Sequence, residues 1–318
     1  MGNFSTRMTI RKQLGYLKFK LVDQLPYQFL RMKGERFRED LKGKTSELPA
    51  IAPAGGPAVD VQMLCGKKHL DMGIWASWSL MRFIPSARLV VFSDGTLSEA
   101  DLGEWRRVIP NLTLISSEAN LQRSDEVLKG RYPLLHEWRE KNLYHAKFLG
   151  FHFHGGSDRI ILLDSDVLCF QRPDELIAGL AAPVPVLRWH NDVASCYLGT
   201  IPELEAASGH PVPACVNSGF MLAKRWTEED LKYLNEMFEK LNAASLPIFH
   251  FWSEQTYYAL TSPRHADAKP FSNKYSIYYG RTNPERVIRH YVGVVKVRPR
   301  FYVEGIPILL DQLRAGGL

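Results

Sequence analysis

Hydrophobic positions in the first half of the chain follow a strand pattern in four short segments. Apolar side chains alternate with others over 59–65, and compact apolar runs occupy 87–92 and 112–115. The fourth run, 159–163 (RIILL), is apolar at almost every position, as in a strand buried on both faces of a parallel sheet. The pattern therefore predicts four strands, the last of them central.

Segments with helical hydrophobic spacing lie between these strands. Over 70–83 and 134–151 the apolar residues recur every three or four positions, so each is predicted to be a helix, the second a long one. Ser98 followed by Asp101 matches a capping box and predicts a further helix start. This alternation predicts an α/β fold with a mostly parallel central sheet and helices on both faces. Ligands of such sheets bind at the carboxyl ends of the strands.

The first 44 residues form a basic, partly amphipathic leader. They hold eleven Lys or Arg against four Asp or Glu, a net charge of +7 within a total of +6. Leucine and aromatic residues over 16–22 are interleaved with lysines, which favours contact with an anionic lipid surface at about 1 kcal/mol per cation. A charged helix packed on the body and a disordered tail are the alternatives. A Pro- and Gly-rich linker is predicted over 45–58 and the main domain over 59–318.

Composition excludes several classes of protein. With 45% hydrophobic and 23% charged residues, the chain is an ordinary globular protein rather than a disordered one. Because the excess of positive charge is confined to the leader, no nucleic-acid-binding face is expected. No apolar stretch of about 18 residues is present, so no membrane span is expected. Four scattered cysteines without a C-x-x-C pair predict neither a disulfide framework nor a zinc ribbon, and a cytoplasmic location is expected.

Two carboxylates follow the most apolar strand directly. Asp164 and Asp166, separated by Ser165, leave the 159–163 run at the edge where ligands of parallel sheets gather. Two acids at the end of a buried strand repel each other and lose hydration unless a cation neutralises them. Their hard oxygen atoms favour Mg²⁺ or Mn²⁺, ions that commonly bridge to substrate phosphates. The alternative is that both acids only cap the following turn.

A late histidine can complete such a site. His290 offers a nitrogen ligand, Gly293 lets a phosphate approach the backbone, and Lys296 supplies a positive charge. His152 and His154 are other candidate ligands, but a surface turn explains them more simply. By itself the 290–296 segment is also compatible with an ordinary apolar strand. It would line a metal–diphosphate site only if the fold brings it next to the two acids.

These motifs, D-x-D after an apolar strand and a late H-x-x-G-x-x-K, resemble those of the retaining nucleotide-sugar glycosyltransferases of family eight. That family includes glycogenin and the galactosyltransferases of lipopolysaccharide synthesis. The resemblance covers roughly 59–303 and implies a GT-A type fold, a single nucleotide-binding α/β domain. The matching residues, in chain order, are Lys147, Asp164, Asp166, Asn217 and Gly219 in VNSGF, Glu254-Gln255, His290, Gly293 and Lys296. Two departures are Glu254, where the family usually has Asp, and Val297-Arg298-Pro299, where it often has Pro-Trp.

The resemblance implies transfer of a hexose from a nucleoside diphosphate sugar, usually a UDP-sugar, to an acceptor hydroxyl that the sequence does not identify. The implied metal ligands for Mn²⁺ or Mg²⁺ are Asp164, Asp166 and His290. The implied nucleotide-site residues are Leu64, Cys65, Gly66, Lys67 and Ser165, with Gly293 and Lys296 at the diphosphate. The implied sugar-site residues are Lys147, Asn217, Gly219, Glu254 and Gln255, with Glu254 as the candidate that stabilises the oxocarbenium-like centre. The alternative is that Glu254 is only an acid at the start of a helix, behind Ser253, where the helix dipole favours it. No nucleophile is assigned.

Two other functions remain open at this stage. A phosphatase of the haloacid dehalogenase type also carries D-x-D after a strand, although it normally needs a downstream acidic pair that this chain lacks after any suitable strand. An inactive binding module of the same fold, held at a membrane by the leader, is the second. Turnover of a nucleotide sugar with Mn²⁺ separates both from a glycosyltransferase.

Overall fold

A computed structural model describes residues 17–18, 21, 25–56, 58–142, 144–265, 267–293 and 297–316. The strands in this part of the chain are β1 Asp60–Cys65, β2 Arg88–Ser93, β3 Leu112–Ile115, β4 Arg159–Leu163, β5 Val167–Cys169, β6 Leu187–Asn191, β7 Val216–Lys224, β8 Ala268–Pro270 and β9 Ile288–His290. The four strands predicted from the apolar runs are thus confirmed as β1 to β4.

The α-helices of the described residues are α1 Leu25–Leu41, α2 Leu70–Met81, α3 Gly103–Val108, α4 Ser117–Leu128, α5 Pro133–Lys141, α6 Phe151–Phe153, α7 Asp174–Leu180, α8 Ile201–Ser208, α9 Glu228–Ala243, α10 Ser253–Leu260 and α11 Ile306–Arg314. Short 3₁₀ turns cover Lys42–Glu47, Lys67–His69, Glu99–Leu102 and Ser262–Arg264, and π-helical turns cover Ala146–Gly150 and Phe301–Gly305. The capping box of Ser98 and Asp101 forms as predicted, at the start of the Glu99–Leu102 turn that leads into α3.

The main sheet has the strand order β3-β2-β1-β4-β7-β6-β8. Its strands are parallel except β7, which runs antiparallel to both β4 and β6. Successive residues of β4 point to opposite faces, since Ile160 and Leu162 belong to one buried cluster and Ile161 and Leu163 to the other. Helices cover both clusters, so the predicted α/β class with a mostly parallel sheet is confirmed.

The long helix predicted over 134–151 is wrong. Helix α5 ends at Lys141 because Asn142 takes an extended backbone conformation (φ −110°, ψ 126°). The Asn142 side chain stabilises this break: Oδ1 accepts from the Tyr144 backbone N–H at 2.9 Å, and Nδ2 donates to Ser253 Oγ at 3.2 Å. Apolar spacing alone cannot reveal such a break. Its consequence is that Lys147 lies on a separate π-helical turn.

The surface turn expected for His152 is also wrong. His152 is buried and stacks on Trp226, with ring centroids 3.6 Å apart. Its Nδ1 accepts the Trp226 backbone N–H at 3.2 Å, and its Nε2 lies 3.1 Å from the Tyr258 hydroxyl. Burial lowers the pKa of His152 well below its usual value. A neutral imidazole with both nitrogens engaged inside the core is therefore a packing residue.

Part of the basic leader packs on the domain. Helix α1 lies against the Phe301–Gly305 turn, and a Cβ on its buried Gly34 would come within 2.9 Å of the Pro299 side chain. Arg38 of α1 pairs with Asp71 at 3.0 Å. In the predicted linker, the Ile51 N–H donates to the Val108 carbonyl at 2.8 Å. Most of 1–24 lies outside the described residues, and the boundaries at 44 and 58 stay predictions.

Candidate functional site

The short segment that carries the two acids after β4 lies next to the end of β9, where the late histidine stands. Asp164 follows β4 directly, and Asp166 precedes β5. Strand β5 pairs antiparallel with β9, in a register that sets Val167 opposite His290. The Tyr291 backbone N–H then donates to the Asp166 carbonyl at 2.8 Å. This two-stranded pairing brings the imidazole to the carboxylates across a long separation in sequence.

The three side chains predicted to hold a metal ion converge. His290 Nε2 lies 3.1 Å from Asp166 Oδ1 and 3.7 Å from Asp164 Oδ2, and the candidate ligand atoms all lie within 4.8 Å of one another. Two carboxylates and one imidazole are a donor set that Mn²⁺ or Mg²⁺ accepts. His290 Nδ1 is buried and has no hydrogen-bond partner among the described residues, so Nε2 is the nitrogen directed at the acids. The residues present therefore fit a divalent cation.

Asp166 is held as an anion by its surroundings. Burial opposes its ionisation, but His290 and Arg298 together keep the pKa of this carboxyl well below its usual value. Arg298 Nη2 donates to Asp166 Oδ2 at 2.7 Å. A buried carboxylate that remains charged is ready to bind a cation.

Lys147 lies between two acids beside the cluster. Its Nζ is 2.9 Å from Asp164 Oδ1, 3.3 Å from Glu254 Oε1 and 3.2 Å from Ser218 Oγ. Although burial opposes its charge, the two acids raise the pKa of the Lys147 ammonium above its usual value. Burial raises the pKa of Glu254, against the opposing effect of Lys147. The break after α5 and the start of α10 thus place one buried cation between the metal cluster and Glu254.

Gly219 leaves space for the imidazole. A Cβ at this position would lie 2.3 Å from His290 Cε1 and 2.9 Å from Asp164 Oδ2, closer than real contacts allow. The Gly219 carbonyl accepts the Asp164 backbone N–H at 2.8 Å. The glycine of the VNSGF segment is therefore needed because β7 passes directly beneath the cluster, and its side-chain position is taken by the ring.

Asn217 organises the wall next to His290. Its Oδ1 accepts from the Gly219 backbone N–H at 2.9 Å and lies 2.7 Å from His190 Nε2, while its Nδ2 donates to Asp192 Oδ2 at 2.7 Å. The His190 ring stacks on His290 with centroids 5.1 Å apart. Gln255 donates to the Cys196 carbonyl. These contacts orient the wall through side chains that sequence reasoning did not single out, His190 and Asp192.

A cavity of about 420 Å³ contains most of the predicted site residues. Those that line it are Leu64, Lys147, Asp164, Ser165, Asp166, Asn217, Glu254, Gln255, His290 and Gly293. Cys65, Gly66, Lys67 and Gly219 do not line it: Cys65 is buried in the core, and the exposed Lys67 pairs with Asp101 at 2.8 Å. Lys296 lies outside the described residues.

Several lining residues were not predicted to belong to the site. Tyr144, Phe251 and Trp252 are part-exposed aromatic residues at the cavity, the last two directly before α10. Arg298 lines the cavity as well. Its only signal was that Val297-Arg298-Pro299 departs from the family pattern, which says nothing about contact with Asp166.

Comparison with known proteins gives structural neighbours only. No family model and no curated protein sequence matches the chain. Mouse xyloside xylosyltransferase 1 superposes with a TM-score of 0.50 at 16% identity, over 74% of this chain and 98% of that one. The bifunctional glycosyltransferase WbbM gives 0.49 at 14% identity over 82% and 51%. The galactosyltransferase LgtC, with donor and acceptor sugar analogues, gives 0.45 at 13% identity over 79% and 95%. The likeness to the mouse enzyme establishes a shared fold, and the predicted GT-A architecture is confirmed.

Proposed function

We propose that this protein is a metal-dependent glycosyltransferase that moves a hexose from a nucleoside diphosphate sugar to an acceptor hydroxyl. One observation carries the proposal: Asp164, Asp166 and His290 converge at the carboxyl edge of a sheet whose fold is that of a xylosyltransferase. An α/β sheet binds its ligands at this edge. The motif resemblance to family eight points to the same chemistry and makes UDP the favoured carrier.

The protein's own residues divide between the diphosphate and the sugar. Asp164, Asp166 and His290 would hold Mn²⁺ or Mg²⁺, which when bound neutralises charge on the departing diphosphate as a Lewis acid. Gly293 lines the cavity beside them and permits close approach of a phosphate. Lys296 is proposed to add a cation there, as the family motif implies.

The sugar would lie toward Glu254. Lys147, Asn217 and Gln255 line this part of the cavity and offer hydrogen-bond donors to hydroxyl groups. The buried Glu254 carboxyl group lies 3.3 Å from the Lys147 ammonium, which opposes the effect of burial on its pKa, and its ionised form would stabilise an oxocarbenium-like centre. Leu64 and Ser165, which also line the cavity, would contact the nucleotide.

Retention of the anomeric configuration is proposed from the family resemblance. Proton NMR of the first product formed checks it, since the anomeric coupling constant distinguishes the two configurations before mutarotation. A product of inverted configuration contradicts the retaining assignment and leaves the transferase proposal standing.

A donor screen tests the proposed function. The melting temperature of the protein is measured with UDP-, GDP- and other nucleotide hexoses, each with and without Mn²⁺. We expect one donor to raise the melting temperature only when the ion is present. At a donor concentration of a hundred times its Kd, the free energy of unfolding should rise by about 2.7 kcal/mol. The same donor should release its nucleoside diphosphate on incubation.

The controls of this screen separate the other two functions. Phosphate release from a simple phosphate ester without any nucleotide would favour a phosphatase. Tight donor binding in Mn²⁺ with neither hydrolysis nor transfer would favour a binding module. No thermal response to any nucleotide sugar would contradict the glycosyltransferase proposal.

We also propose that the leader contacts a membrane surface. Phe29 and Met32 of α1 are 75% and 67% exposed and share one face with the exposed Leu25. Gly34 and Arg38 pack on the domain instead. Leu17 and Leu21 are exposed too. Among the described residues no helix is long and apolar enough to cross a bilayer, so the face would lie on the surface.

Acidic residues placed on this face are expected to weaken binding to vesicles. Phe29→Glu with Met32→Glu should lower the affinity for phosphatidylserine-containing vesicles about a hundredfold or more, because burying each side chain contributes about 1.5–3 kcal/mol. Vesicle sedimentation measures it. The matched control is Val184→Glu with Val193→Glu, which changes two exposed apolar residues elsewhere. Equal binding by both double variants, or none by the parent protein, would refute membrane contact by α1.

A further inference from the structure

Asp166 has a cationic partner outside the proposed metal cluster. Arg298 Nη2 donates to Oδ2 at 2.7 Å, while His290 Nε2 lies 3.1 Å from the other oxygen, Oδ1. The carboxylate is 7% exposed, whereas the Arg298 side chain is 44% exposed. One end of this ion pair is therefore fixed in the interior and the other is in contact with solvent at the cavity.

Packing holds the backbone that carries Arg298, whereas its guanidinium is held by the ion pair with Asp166. Val297 is buried, and Pro299 packs against Gly34 of α1. Arg298 Nη2 would lie 3.0 Å from a Cβ on Gly293, so the guanidinium rests over a backbone position that has no side chain. Rotation about the side-chain bonds of Arg298 can move the charge across the cavity without displacing the chain.

The two acids of the cluster differ in how firmly their counter-ions are held. Asp164 is neutralised by Lys147, whose side chain is 7% exposed and also contacts Glu254 and Ser218. Asp166 is neutralised by Arg298, and within the described part of the chain Asp166 is the acid with which Arg298 forms an ion pair. A divalent cation that binds both acids repels each of these positive charges. Only Arg298 can leave toward solvent, and the diphosphate that accompanies the cation offers it new acceptors.

We propose that Arg298 is the counter-ion of Asp166 in the metal-free protein and a diphosphate-binding residue in the loaded one. The planar guanidinium forms paired hydrogen bonds with phosphate oxygens as well as with carboxylates, so one residue serves both partners. This inference rests on the proposed function, since it requires that a divalent cation and a nucleoside diphosphate share the cavity. It predicts that Arg298 weakens the binding of the ion in the absence of nucleotide. It also predicts that Arg298 strengthens the binding of the nucleotide once the ion is bound.

Substitution of Arg298 is expected to change two affinities in opposite directions. In Arg298→Gln, Mn²⁺ alone should bind roughly two- to fivefold tighter, because a part-exposed ion pair no longer competes for Asp166. UDP or GDP in saturating Mn²⁺ should bind roughly ten- to hundredfold weaker, because a charged hydrogen bond is lost. Electron paramagnetic resonance of free Mn²⁺ measures the first affinity, and titration calorimetry measures the second.

Two further variants and the parent protein make the outcome decisive. Arg298→Lys keeps the positive charge but loses the planar set of N–H donors that can bind two phosphate oxygens at once. It should bind the nucleotide with intermediate affinity. Arg300→Gln removes the same charge two residues away, where Arg300 pairs with Glu304, and should leave both affinities unchanged. If Arg298→Gln loses Mn²⁺ and nucleotide binding together, or binds the nucleotide as the parent does, the inference is overturned and the proposed function stands. If the parent binds no nucleoside diphosphate in Mn²⁺, both are overturned.

Discussion

Replacing Asp166 with asparagine is expected to abolish Mn²⁺ binding at the cluster and to lower donor turnover by about two to three orders of magnitude or more. Asparagine keeps the size of the side chain but offers one neutral oxygen in place of a carboxylate whose low pKa keeps it charged. Loss of a ligand removes several kcal/mol of charge stabilisation at the departing diphosphate. Electron paramagnetic resonance of Mn²⁺ and a nucleotide-release assay measure the two effects.

The fold should survive the Asp166 substitution. Arg298 is 44% exposed and becomes hydrated when its partner loses charge, so the protein should stay folded, although the loss of a carboxylate that His290 and Arg298 stabilise lowers its melting temperature. Asp174→Asn is the matched control: Asp174 is an exposed acid that pairs with Arg172 at 2.9 Å and does not line the cavity. Parent-like Mn²⁺ affinity in Asp166→Asn would contradict the assignment of Asp166 as a ligand.

Replacing Lys147 with methionine is expected to destabilise the protein by about 3–5 kcal/mol. The change leaves Asp164 and Glu254 without the buried ammonium that lies 2.9 Å and 3.3 Å from them. Removing one partner of a buried ion pair leaves an uncompensated charge in a poorly solvated place. This loss is a large share of the stability of a typical domain, about 5–15 kcal/mol. Urea denaturation in the absence of metal measures it.

Two variants separate the charge effect from simple loss of packing. Adding Glu254→Gln to Lys147→Met removes one of the two carboxylates that have lost their cationic partner. The double variant should recover part of the lost stability. Lys141→Met is the control, because Lys141 is an exposed lysine of α5 paired with Glu137 and should cost about 1 kcal/mol or less. A Lys147→Met protein within about 1 kcal/mol of the parent would show that the buried cation does not hold the two acids together.

Local features of the fold followed directly from the sequence. The strands β1 to β4 were predicted from apolar runs, and the capping box of Ser98 and Asp101 from two residues three apart. Such signals depend on neighbours within one turn or one strand, so they are visible without knowledge of the rest of the fold. The exception is the 134–151 segment, where the Asn142 side chain, which bonds to Ser253 of α10, breaks a regular helical pattern.

Part of the candidate site was also readable before the fold was known. The residues alone placed Asp164 and Asp166 at the end of the most buried strand, where a carboxylate pair calls for a cation. His290 was a candidate ligand from its own segment, His152 and His154 were assigned to a surface turn, and the motif resemblance then implied His290 as the ligand. The structure brings His290 to 3.1 Å of Asp166, and His152 lies in the core.

The sequence by itself determined the α/β class, the position of the acidic pair and the basic character of the leader, because periodicity, composition and charge are properties of the chain. Only the tertiary structure decided which distant groups surround those acids. The pairing of β5 with β9 positions His290, and the break after α5 positions Lys147. The packing of Pro299 against α1 positions Arg298. Each of these placements arises from contacts between segments far apart in sequence, and their free energy depends on packing that no local pattern encodes.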